Sequence, residues 1–93
     1  MVINMAPVVR EYLLGALADV EAESIELRLL SEAGFRLSVE LERDELIEDY
    51  VLGLLGARER RLFESNFLRA PANLFSVKIV ESLADYFAAP RSG

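Results

Sequence analysis

The chain repeats itself, and that constrains its fold more than any other feature. Shifted by 38 residues, positions 12–39 fall on positions 50–77, and nine of the 28 pairs are identical, where this composition alone gives about two or three. The identities are Tyr12 with Tyr50, Leu14 with Leu52, Gly15 with Gly53, Leu17 with Leu55, Glu21 with Glu59, Glu26 with Glu64, Leu30 with Leu68, Ser38 with Ser76 and Val39 with Val77. Glu11 with Asp49, Ile25 with Phe63 and Leu29 with Phe67 keep their character. Helical units with a period of tens of residues bury their apolar faces against neighbouring units. The expectation is therefore two helix-turn-helix units, about 8–40 and about 46–88, inside a single all-helical domain spanning 1–93.

Residues 44–73 read as two short amphipathic helices joined at Gly56. Leu46, Ile47, Tyr50, Val51 and Leu54 form one apolar side, and Leu62, Phe63, Phe67 and Leu68 form the other. This stretch resembles the zinc-finger domain of bacterial anti-sigma factors, in which Leu-x-x-Tyr-x-x-Gly-x-Leu leads to Glu-x-x-x-Phe-Glu-x-His and two spaced cysteines. Asn66 stands at the histidine position, and Ala70 and Asn73 stand at the cysteine positions. In the first unit the equivalent positions read Arg28, Glu32 and Phe35. The resemblance implies a compact bundle of about five helices, without the metal, that binds a sigma factor of the extracytoplasmic-function type. A structural zinc contributes on the order of 10 kcal/mol in small fingers, so apolar packing is expected to replace it, with Phe35, Leu74 and Phe75 as the substitutes.

The residue pattern places helix 1 at about Pro7 to Leu17, with proline suited to a first turn. Helix 2 is capped by Asp19 and runs to about Leu30, burying Ile25 and Leu29 with Ala22 and Leu30 as further candidates. Ser31-Glu32 can cap a third helix that runs from about Phe35 to about residue 55. A break near Arg43-Asp44 is the alternative, but an unbroken helix is favoured because residues 35–55 contain no Pro and only Gly53, near the end, to interrupt the pattern. The alternation Phe35, Leu37, Val39, Leu41 also reads as a strand, but no neighbour offers a partner strand. Gly56 closes helix 3, helix 4 covers about Ala57 to Leu68, and helix 5 covers about Ala72 to Ala88. Residues 1–6 read as a lead-in and Pro90 to Gly93 as a tail. Gly15 and Gly53 are expected inside helices, at close helix contacts.

With no cysteine and no histidine, zinc binding, disulfides and thiol or imidazole catalysis have no residues to work with. A net charge of −6 opposes the nucleic-acid backbone. No apolar run reaches the roughly 18–20 residues of a membrane span, and the first residues lack a signal peptide's basic flank. A cytoplasmic location is the expectation.

Glu45, Glu48 and Asp49 share a helical face, as a carboxylate metal site would require, but they also read as a solvated face. No catalytic, cofactor or metal residue is expected, and the chain is read as not an enzyme. On helix 5, Leu74, Phe75, Ile79, Leu83 and Tyr86 are assigned to the core, and Val77, Val80, Ala84 and Phe87 form a second apolar stripe. That second stripe is either enclosed in the fold or covered by a partner. With Arg58 and Arg61 from the basic cluster of helix 4, it makes the candidate partner-binding set. The functional expectation is regulation of transcription through a sigma factor. The alternative is a self-associating scaffold or recruitment module of a bacterial signalling or defence complex, acting through another signalling protein or as a homodimer.

Overall fold

The structure, a computed structural model, describes residues 5–88. It contains α1 (Ala6–Leu13), α2 (Asp19–Ser31), α3 (Ala33–Val51), α4 (Ala57–Ser65) and α5 (Pro71–Ala88), with a 3-10 turn at Phe67–Arg69 before α5. No strand occurs among the described residues. Phe35 to Leu41 are helical, and α3 runs unbroken through Arg43 and Asp44. The start of the expected lead-in, residues 1–4, and the tail from Pro90 lie outside the described residues.

The glycines account for where the helices stop. Gly15 and Gly53 have φ of 72° and 74°, a region that L side chains enter only at a cost of about 1–2 kcal/mol. Gly15 N donates to Tyr12 O (3.0 Å) and Ala16 N to Glu11 O (2.9 Å), while Gly53 N donates to Tyr50 O (3.1 Å) and Leu54 N to Asp49 O (2.8 Å). This paired bonding satisfies the last carbonyls and reverses the chain. α1 thus ends at Leu13 instead of Leu17, and α3 ends at Val51 instead of near Gly56. Both glycines follow a helix and do not sit inside one.

The helix starts also differ from expectation. Ala18 and Gly56 hold the extended positions ahead of α2 and α4, with ψ of 153° and 166°, and neither offers a capping side chain. Asp19 becomes the first residue of α2, where its charge still meets the positive helix end. Ser31 donates back to Leu27 O (2.9 Å) and does not cap α3. Extended Glu32 (φ −128°, ψ 106°) separates α2 from α3. α4 gives way to the 3-10 turn after Ser65, so helix 4 does not reach Leu68 as one α-helix.

Boundaries recur at the 38-residue spacing of Tyr12 and Tyr50. Leu13 ends α1 as Val51 ends α3, Asp19 opens α2 as Ala57 opens α4, and Ala33 opens α3 as Pro71 opens α5.

The core has two parts. Val9, Ile25, Phe35 and Val39 form one cluster, flanked by Tyr12, Leu17 and Leu29. Leu14, Leu46, Ile47, Phe63, Phe67 and Val77 form the other, flanked by Tyr50, Leu55 and Val80. Leu13 packs against both. Phe63 is stacked between Tyr50 (centroids 4.1 Å apart) and Phe67 (4.6 Å), an arrangement that adds to simple burial. The molecule is elongated, 53 × 27 × 26 Å.

The two glycines give a paired test. An added Cβ at Gly53 meets nothing within 4 Å, whereas at Gly15 it meets Asn66 Nδ2 at 3.1 Å. Gly53→Ala should lose about 1–2 kcal/mol in urea unfolding, from backbone conformation alone. Gly15→Ala should lose more, and equal losses would exclude the Asn66 contact.

Candidate protein-binding surface

α5 faces opposite to the sequence assignment. Val77 is 3% exposed and belongs to the core, Val80 packs against the same cluster, and Ala84 is half-buried. Phe75 (66% exposed), Ile79, Leu83 (52%) and Tyr86, with Leu74 beside them, face outward. The two stripes are therefore largely exchanged: Val77 lies in the core, and Val80 and Ala84 are half-buried, with Val80 also bordering the groove between α3 and α5. The side chain of Phe87 lies outside those described.

A polar anchor sets this rotation. Arg43, on α3, donates from Nε (3.1 Å) and Nη2 (2.7 Å) to Asn73 Oδ1, and from Nη2 to Ser76 Oγ (3.1 Å). Asn73 Nδ2 in turn donates to Phe67 O (3.0 Å). Residues 73 and 76 face α3, so Val77 and Val80 follow them inward at helical spacing. The repeat carries a signal for this, because Val77 aligns with Val39, which is buried in the other cluster.

The positions that the resemblance aligns with zinc ligands carry other cross-links. Asn66 Nδ2 donates to Leu14 O (2.9 Å), tying the end of α4 to the end of α1. Asn73 holds Arg43, while Ala70 gives its carbonyl to the first turn of α5. In the first unit Arg28 pairs with Glu32 (3.0 Å), and its guanidinium lies 4.2 Å from the Phe35 ring centre. Of the three expected apolar substitutes, only Phe35 is buried; Leu74 and Phe75 are exposed. Among the described residues, no group of three or more His, Cys, Asp or Glu is placed to hold a metal, and no polar or charged residue is buried.

The candidate arginines differ from each other. Arg58 grips Glu11 through both terminal nitrogens (3.0 and 3.2 Å), so it joins α4 to α1. Arg61 is exposed and borders a shallow groove with Ala16, Leu62 and Ser65. Arg10 completes this side, bonding Asp49 at 2.8 Å with Glu59 at 3.6 Å. Burial lowers the Arg10 pKa, but the Asp49 bond and the surrounding carboxylates outweigh it and raise the value overall.

Two grooves run beside α3. One, of about 710 Å³, is bordered by Val9, Phe35, Leu41 and Glu42. The other, of about 320 Å³, lies between α3 and α5 and is bordered by Asp44, Ile47, Glu48, Ile79 and Val80. Among the described residues no helix is long and apolar enough to cross a membrane.

No protein-family model matches the chain, and no curated protein or solved structure is significantly similar to it.

Tyr50 offers a pH test of the core. Its hydroxyl donates to Glu64 Oε2 (2.8 Å), and burial, that bond and the Glu64 charge raise its pKa. The folded state therefore holds this proton more tightly than the unfolded state does. The resulting stability is complete below about pH 10 and is lost as pH rises through the folded value. Tyr50→Phe should reduce the fall in urea midpoint between about pH 9 and 11; an unchanged fall would contradict the assignment.

Proposed function

We propose that this chain is a metal-free, non-enzymatic protein-binding domain, built from a duplicated helical unit, whose contact surface is the outer stripe of α5. The observation that carries the reading is the orientation of that helix. Its inner face is satisfied by the second core cluster and the Arg43 anchor, yet Phe75, Ile79, Leu83 and Tyr86 remain outward. Aromatic and aliphatic side chains aligned on one helix are the usual anchors of a helix-mediated interface. By the resemblance of residues 44–73, the partner is a bacterial sigma factor of the extracytoplasmic-function type, and the role is regulation of transcription in the cytoplasm.

Co-expression with such a sigma factor from the same genome should give a stoichiometric complex on gel filtration. Leu83→Glu should weaken it by about 2 kcal/mol or more while leaving the helical circular dichroism intact, because Leu83 is half exposed. Free components, or a complex indifferent to Leu83→Glu, would remove the reading. A chain that instead sediments as a Leu83→Glu-sensitive dimer would place it among self-associating scaffolds.

A further inference from the structure

The groove between α3 and α5 carries an inference that rests on α5 being the binding surface and names what binds there. Its two walls differ in chemistry. Ile79 and Val80 make an apolar wall on α5, with Ile47 behind them, and Asp44 and Glu48 make an acidic wall on α3. The groove's own cation is committed elsewhere: Arg43 is bonded to Asn73 and Ser76 and approaches Asp44 only at 3.9 Å. Glu48, like exposed Glu40 and Glu45 on the same helix, has no ion pair or side-chain hydrogen bond among the described residues.

We propose that this groove receives an amphipathic, basic helix of a partner protein, its apolar face against Ile79 and its lysines or arginines along Asp44 and Glu48. The groove is a shallow trough between α3 and α5, a place suited to side chains presented by a helix. Its chemistry selects the partner's charge. The unpaired Glu48 and the Asp44 carboxylate, held only at 3.9 Å by Arg43, on a chain of net charge −6 steer cationic segments and repel acidic ones. The same field disfavours nucleic acid and anionic lipid surfaces.

The test titrates the full chain with a fluorescent Leu/Lys peptide of about 18 residues designed as an amphipathic helix. A scrambled peptide of equal composition and a Leu/Glu amphipathic helix serve as controls. The expected result is saturable binding of the Leu/Lys helix alone, weakened by salt and reduced about tenfold both by Ile79→Ser and by the double variant D44N/E48Q. Equal binding of the scrambled peptide, or affinity unchanged by Ile79→Ser, would reduce the effect to diffuse charge attraction and overturn the groove. Preference for the Leu/Glu helix would overturn the charge assignment. If no peptide binds while the Leu83→Glu-sensitive sigma-factor complex still forms, the groove inference fails and the broader reading stands. If that complex is also absent, both fail.

Discussion

Both parts of the core depend on one helix. α3 is 19 residues long and gives Phe35 and Val39 to one cluster and Leu46 and Ile47 to the other. Its neighbours α1 and α4, of 8 and 9 residues, are too short to persist alone in water. They hold their shape because their apolar faces close on α3 and on each other's ends. Leu13 touches both clusters and so joins the two parts of the core.

Polar cross-links complete what packing begins. Asn66 satisfies the Leu14 carbonyl at a helix end that would otherwise be bare, and Arg43 satisfies Asn73 across the α3–α5 contact. A hydrogen bond adds only about 0.5–1.5 kcal/mol net, but a missing partner at a half-buried site costs more. Such bonds therefore fix the rotation of a helix more than they fix its stability. Here the rotation matters, because it decides which side of α5 is left for a partner.

Much of the architecture was legible in the sequence. Hydrophobic periodicity marked the five helices, and the absence of Pro and the late position of Gly53 indicated that α3 continues through Arg43-Asp44. Helix ends were less legible, because Gly15 and Gly53 were read as packing residues when their positive φ makes them terminators. The equivalent positions of the two glycines in the 38-residue repeat were the available clue. The surface was the least legible part. α5 is apolar over most of its circumference, so periodicity alone could not choose between the stripe with Val77 and the stripe with Ile79. The choice was made by Arg43, a residue on another helix 30 positions from Asn73, through contacts that only the folded chain brings together.

The orientation of α5 is thus the claim on which the functional reading stands, and it can be measured directly. The chain contains no cysteine, so single-cysteine variants report local accessibility without background. Val77→Cys, Ile79→Cys and Leu83→Cys, treated with a thiol reagent under native conditions, should separate into one slow and two fast sites. Slow labelling at 77 with fast labelling at 79 and 83 is the predicted result. A cysteine at 77 that reacts as fast as one at 83, or one at 83 protected in the isolated monomer, would contradict it.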